Sequence, residues 1–595
     1  MRAAGRALYA DDVDTMCRLA RAALVHGPHP RAALMLGEAL GQRGAFTEGI
    51  AVLERAFAVA GPEDVGSVAV TLAVHHFYGP GRLDRALAVL AEAVGRAGPS
   101  PVLTGWEVTL LTAAGRTDLA AHALAGCPES ASGPESALDP SSASGPESAL
   151  APSPSPSGPD ALAPDPGPSL PREPAPASVP VLPRSPAANP APAFAPVPDP
   201  APVPDPAGVL LLQARLRVEL AEGRAEDAVR SGRAAYTAHR AVTERTEVFY
   251  PARSSYLIAA ALLEAGRLDE ADRTARDGLE ELLAAPVPAL VTWFGWVRGR
   301  IALDRGRPAE AAAHFREARA QAHLCGHRFA EQRVLAGLVL AQAYTGHAGA
   351  AAAELAAVAE GPDGPWRQAD TLRAHAWALR CQGRAGEAVA VLGTATADAL
   401  AHGERAAALT LQHDLVRWGE RAAADRVTDL AATAQGPYEA ARAAHARALA
   451  AADPDALTAV ADTWTALGTV LLAAETLAQA ASLWREPAPG ERHRTPARVV
   501  AERRATARAL LLRERCEGAA TPALAVLTER GPGAPAVLSA RELEIAHLAA
   551  RGRTSKEIAA HRGLSVRTVD NTLGRVYRKL GVNDRAALGR LLAPP

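Results

Sequence analysis

Across residues 566–580, VRTVDNTLGRVYRKL, the apolar residues Val566, Val569, Leu573, Val576 and Leu580 succeed one another at steps of three, four, three and four. At about 100° per residue they share one stripe of an α-helix. The opposite face is centred on Asn571, with Arg567 and Arg578 on one side and Arg575 and Thr568 on the other. Asp570 lies at its border. Guanidinium and hydroxyl groups donate to phosphate oxygens; an amide can bond adenine N6 and N7 together; a carboxylate can accept from cytosine N4. The pattern is that of a major-groove helix, held by one side and reading with the other.

The elements that must position this helix are signalled on either side of it. Ser539 and Glu542 form a capping box that opens a first helix, ending near Gly552. Thr554 and Glu557 form another, opening the short SKEIAAHRG. Gly563 makes the turn, Ser565 caps the third helix, Gly581 ends it, and Asn583 is placed to cap a fourth. Charge follows the same boundary. Residues 538–592 hold nine Arg and two Lys against five acids, a surplus of six in a chain whose net charge is −2. Lys556 and Lys579 are the chain's only lysines. A positive field confined to one small module is the footprint of nucleic-acid binding.

LSARELEIAHLAARG, the TSKEIA of the second helix and LSVRTVDNTLGRVYRKLGVNDRAAL together resemble the LuxR-type helix-turn-helix almost end to end. The resemblance implies that 566–580 is the recognition helix and that the fourth helix pairs two copies on double-stranded DNA. It implies further that Lys556, Arg567, Thr568 and Lys579 hold phosphates while Asp570, Asn571 and Gly574 face bases. Thr572 stands where the family usually has His. Gly574 costs helix about 1 kcal/mol relative to Ala.

Upstream, a short tag recurs: GRLDRA at 81–86, GRAEDA at 223–228, GRLDEA at 266–271, GRPAEA at 306–311 and GRAGEA at 383–388. Looser copies begin at Gly44, Gly115 and Gly346. From Gly223 to Gly383 the glycines are spaced by 43, 40, 40 and 37 residues, the mark of stacked helical hairpins. Each Gly is placed to end a helix in the left-handed conformation, the acid to enter the first turn of the next helix, and the Ala to let the two helices approach. This resembles tetratricopeptide-like repeats with a degraded consensus. Residues 128–206 carry 25 of the 47 prolines and too little apolar surface to offset their ordering entropy. The expected fold class is all-α: a tetratricopeptide-like helical repeat superhelix with a disordered Pro-rich insert, and a C-terminal four-helix, winged-less LuxR-type helix-turn-helix domain. The expected divisions are repeats over 1–126, insert over 127–207, repeats over 208–517, a flexible linker over 518–537 and the DNA-binding domain over 538–595.

Other chemistry is thin. Five scattered cysteines form no disulfide framework and suit a reducing compartment. The start MRAAGRALYADDVD lacks the apolar core of a secretory leader, and no stretch has the apolar length of a membrane span. With no lysine before Lys556 there is no GxxxxGK[ST] phosphate loop, so the ATPase domain that often precedes such regulators is expected to be absent or truncated from the start. The alternation His323, Cys325, His327 reads as a loop rather than a metal site, and Trp293, Phe294 and Trp296 as core rather than a ligand groove. Cys381 has no base beside it, and the arginine run from Arg492 to Arg515 reads as a solvated helix face. These readings point to a cytoplasmic, non-enzymatic, sequence-specific transcription regulator, nucleoid-associated when bound, without cofactor or metal. Its repeats would receive a peptide, protein or small-molecule effector, and its tail would pair as a homodimer on DNA. The alternative is an interaction scaffold whose helix-turn-helix no longer reads an operator.

Overall fold

A computed structural model describes residues 13–127, 206–241, 251–283, 288–347, 369–487, 492–527 and 538–592, with a few isolated positions excepted. The Pro-rich segment between Cys127 and Pro206 lies outside the described residues. Every described element is helical, and none is long and apolar enough to cross a membrane.

Each tag but that of Gly346, whose following segment lies largely outside the described residues, is the turn inside one hairpin. The eight glycines at 44, 81, 115, 223, 266, 306, 346 and 383 all have φ between 67° and 86°, a region that an L side chain enters only with strain. They join Pro30–Gln42 to Phe46–Val59, Val65–Tyr78 to Leu83–Ala97, Pro101–Ala113 to Thr117–Ala125, and Pro206–Ala221 to Ala225–Ala241. The series continues with Pro251–Glu264 and Leu268–Leu283, Pro288–Asp304 and Pro308–Leu324, and Ala369–Cys381 and Ala385–Ala401. Helix Arg328–Tyr344 ends at the turn of Gly346. The tag alanines Ala86, Ala120, Ala228, Ala271, Ala311 and Ala388 are fully buried where the paired helices meet. The tag arginine adds a link that spacing alone did not suggest: Arg224 bonds Asp227 at 3.1 Å, Arg267 bonds Glu270 at 2.9 Å and Arg307 bonds Glu310 at 3.1 Å. It bridges the turn to the acid of the following helix.

The first helices of successive hairpins line a partly open cavity of about 370 Å³. Among them, Trp293 and Trp296 face the cavity, while Phe294 is fully buried. Phe294 and Trp296 are buried as expected of core, Trp296 also lining the cavity, and Trp293 is half-buried at its wall. From the cavity wall a chain of buried ions runs inward. Arg373 Nε donates to Asp414 Oδ2 at 2.6 Å, Arg417 Nη1 to Asp414 Oδ1 at 2.9 Å, and Arg417 Nε to Glu475 Oε2 at 2.8 Å. Glu475 lies on helix Val470–Arg485, which packs along Pro496–Glu514.

That last helix corrects two expectations. Its arginines divide: Arg503 and Arg504 are exposed, as a solvated face requires, whereas three others are held by packing. Arg498 donates to the carbonyls of Leu483 and Glu486 and covers the Trp484 ring, Arg508 pairs with Asp462, and Arg513 Nε donates to the Ala519 carbonyl at 3.2 Å. The segment after Cys516 is not all tether either. Ala519, Thr521, Leu524 and Leu527 are buried, and the Ala520 amide donates to the Tyr344 carbonyl at 2.8 Å. Gly and Pro content masked two leucines that the array's core takes up. Residues 528–537 lie outside the described residues.

Candidate nucleic-acid interface

Four helices follow: α1 (Ala540–Ala550), α2 (Ser555–Arg562), α3 (Val566–Leu580) and α4 (Arg585–Leu592). Both capping boxes form. The Ser539 amide donates to Glu542 Oε2 at 2.8 Å while Ser539 Oγ accepts from the Glu542 amide. Thr554 and Glu557 reciprocate in the same way, and the Thr554 hydrogen bonds hold the exposed Glu557 carboxyl below its ordinary range. Gly563 closes α2 at φ 62° and Gly581 closes α3 at φ 70°. Ser565 Oγ accepts from the Thr568 amide at 3.1 Å. The fourth helix is capped one residue later than expected: Asp584 Oδ1, not Asn583, accepts from the Ala587 amide.

The core side of α3 consists of Val569, Thr572, Leu573, Val576 and Leu580. Val566 is 43% exposed, so the apolar stripe begins one turn later than its spacing suggested. Thr572 takes a core place because its hydroxyl is satisfied locally. It donates to the Thr568 carbonyl at 2.8 Å and accepts from Arg575 Nη2 at 3.3 Å. A threonine can be buried at low cost when the preceding turn accepts its proton.

The other side of α3 is open. Arg567, Asp570, Asn571, Arg575 and Arg578 are exposed, and Asn571 has no hydrogen-bond partner among the described residues. A Cβ added at Gly574 would meet nothing within 4 Å. Lys556 in the first turn of α2 and Arg567 in the first turn of α3 are exposed and unpaired among the described residues, at helix N-termini whose dipoles favour anions. Thr568 is half-buried and occupied with Ser565, their oxygens 2.7 Å apart. Arg578 Nε reaches back to the Gly574 carbonyl at 3.4 Å. Lys579 is the exception among the expected phosphate ligands: its Nζ donates to Glu542 Oε2 at 2.7 Å. Burial raises the Glu542 carboxyl, but Lys579 and the Ser539 amide outweigh it and hold the group below its usual range.

Two further residues position the motif and were not anticipated. Arg585 at the start of α4 donates to the Arg553 carbonyl at 2.7 Å and to Ser555 Oγ at 2.9 Å, fixing the turn before α2. Arg504 of helix Pro496–Glu514 lies against Gly581, and that helix touches both α3 and α4.

Residues 536–592 match the family described as bacterial regulatory proteins, luxR family. This chain carries a LuxR-family helix-turn-helix domain. It is accordingly a DNA-binding transcription regulator, joined to a tetratricopeptide-like array of helical hairpins. A comparison with curated proteins finds no match. Solved structures similar to the chain include the APC/C hetero-tetramer Cut9–Hcn1, at 12% identity over 84% of this chain and 95% of that one, TM-score 0.23. Another is Naa15/Naa10 bound to HypK-THB, at 12% identity over 99% and 78%, TM-score 0.15. Scores this low carry no argument, and the repeat architecture rests on the hairpin geometry above.

The remaining candidates are accounted for by packing. His327 Nδ1 accepts from the Ala330 amide and caps Arg328–Tyr344; its ring packs against Tyr78 and Trp293, and burial pushes its pKa down to about 4. His323 is exposed, and among the described residues no group of three metal-ligating side chains occurs. Cys381 Sγ donates to the Ala343 carbonyl, and burial raises its pKa.

Proposed function

We propose that the LuxR-family domain reads an operator through the open face of α3, as a homodimer paired through α4, and that the helical array senses an effector. The observation that carries this is the division of α3 into a buried stripe and an exposed face centred on the unpartnered Asn571. Asn571 and Asp570 read base edges, with Gly574 permitting close approach; Lys556, Arg567 and Thr568 hold phosphates, and Arg575 and Arg578 flank the groove. Selection of random duplexes by the intact protein tests the reading. A palindromic motif with half-sites about one helical turn apart supports it, and recovery of unselected DNA refutes it in favour of the scaffold.

The sensing role rests on a route through packed groups. Arg373 at the cavity, Asp414, Arg417 and Glu475 connect to helix Val470–Arg485, which supports Pro496–Glu514, the helix against which α3 and α4 lie. A ligand that repositions Arg373 thereby biases the one surface shared by the array, the reading helix and the pairing helix.

A further inference from the structure

The cavity holds five arginines whose situations differ. Three are matched by carboxylates: Arg300 bonds Glu264 at 2.8 Å, Arg333 bonds Asp370 at 2.8 Å, and Arg373 bonds Asp414 at 2.6 Å. The other two, Arg217 and Arg253, have no carboxylate partner among the described residues. Arg253 is 8% exposed and its Nε has no hydrogen-bond partner; its guanidinium lies over the Trp106 ring, 5.3 Å from the centroid. Arg217 Nη2 donates to the Tyr256 hydroxyl at 2.9 Å, and its Nε is buried and unpartnered. A guanidinium does not lose its proton, so a buried unpaired one is costly unless an anion arrives. Beside these two arginines the wall is aromatic. Tyr256 and Trp293 stand nearly parallel, with planes 13° apart and centroids separated by 5.9 Å. The volume is in the range of small-molecule sites.

We propose that this cavity binds a small organic anion, with a carboxylate or phosphate group seated on Arg217 and Arg253 and a flat apolar body lying along Trp106, Tyr256 and Trp293. The inference rests on reading the array as the sensing part and names the chemistry that it senses. Two cations with unused donors select the acid group by charge-assisted hydrogen bonds, and the ring faces select a planar skeleton. Neutral sugars, which would leave both guanidinium charges uncompensated, are disfavoured.

Anilinonaphthalene sulfonate, an aromatic anion, and the neutral phenylnaphthylamine serve as paired fluorescent probes on the full-length protein. The sulfonate is expected to bind saturably at one site per chain. Arg253→Met should weaken it by about tenfold or more while leaving the neutral probe unchanged, and Trp293→Ala should weaken both. Arg253→Met should melt no lower than wild type, because it removes a buried charge with no carboxylate partner while methionine keeps an apolar contact with Trp106; a purely structural arginine would lower the melting temperature. Displacement of the sulfonate by naphthoate and by naphthyl phosphate separates the carboxylate from the phosphate. Equal sulfonate affinity in wild type, Arg253→Met and Arg217→Met would overturn the proposal, as would equal loss of both probes in Arg253→Met. Binding of a selected duplex is followed on the same samples. Loss of probe binding with DNA binding intact in Arg253→Met concerns the cavity alone, whereas loss of DNA binding in Arg567→Ala with probe binding intact concerns the DNA-binding face alone.

Discussion

Lys579, at the end of α3, places its Nζ 2.7 Å from Oε2 of Glu542, the residue that completes the capping box of α1. One carboxylate thereby caps the first helix and anchors the far end of the third, although the two residues are 37 positions apart. Lys579 is thus held internally, and its substitution should separate it from Lys556 and Arg567, the phosphate ligands proposed above. Lys579→Met is expected to lower the melting temperature of the DNA-binding domain, with a loss of about 1 kcal/mol or less for a half-exposed pair. It should leave the salt dependence of DNA affinity nearly unchanged. Lys556→Ala and Arg567→Ala should each flatten the slope of log affinity against log salt by about one unit, with stability intact. Titrations by fluorescence anisotropy at several salt concentrations decide between these outcomes.

Asn571 should govern one base position in each half-site. Asn571→Ala is expected to relax preference there, at a cost of about 1–3 kcal/mol against the selected base, with little change in nonspecific binding. Asp570→Ala should tighten nonspecific binding, because it removes a negative charge from the exposed face of α3, and should loosen a neighbouring position. Parallel selections with the three proteins are the measurement. A uniform drop for Asn571→Ala with an unchanged motif would make it a backbone clamp and move reading to Arg575.

Gly574 offers a test that separates folding from recognition. A methyl group there meets nothing in the free protein, so Gly574→Ala should raise helix stability by about 1 kcal/mol. If α3 approaches DNA as closely as proposed, the same methyl weakens specific binding by about tenfold. A variant that is more stable and binds as tightly as wild type would remove Gly574 from the contact surface.

The array carries its own pH signature. His413 and His445 are buried with Nε2 of the first 3.1 Å from Nδ1 of the second, and His445 Nε2 bonds Gln479 Oε1 at 2.7 Å. Burial pushes His445 down to about 4 and His413 well below the usual value. Unfolded histidine titrates near 6.5, so below that pH the unfolded chain binds more protons and stability falls as pH drops toward 4. Glu404 and Glu439, which burial raises to about 7, act oppositely: their contribution is present at low pH and is lost as pH rises through 7. Replacing both histidines by Phe isolates the first effect. Relative to wild type, the variant's melting temperature should climb as pH is lowered from about 7.5 to about 5. A constant offset would show that the pair does not titrate differently in the folded state.

What was legible in the sequence was local demand. A left-handed turn between two helices calls for glycine, and all eight tag glycines adopt it. A Ser or Thr followed three residues later by Glu declares a helix start, and both boxes form at Ser539 and Thr554. What escaped was tertiary. Nothing in the spacing shows that Lys579 meets Glu542, that Thr572 satisfies its own hydroxyl and enters the core, or that Val566 stays outside it. Arg498 and Arg513 read as solvated because their acceptors are backbone carbonyls, which leave no mark on charge patterning. The cavity is assembled from residues of many hairpins, so no window of sequence contains it.

The turn at Gly44 rests directly on the turn at Gly326. A Cβ placed on either glycine would fall 2.4 Å from the Cα of the other. A hairpin near the beginning of the chain therefore touches one that follows it by nearly half the chain length. A repeat array joined only to its nearest neighbours can nucleate anywhere and fray from its ends, one unit at a time. Here the first hairpins must find a distant partner, with the closure entropy that such a search entails, before their contacts repay it. The array should accordingly fold slowly and melt as a block, and trimming its opening hairpins should loosen the middle of the array as well as its edge.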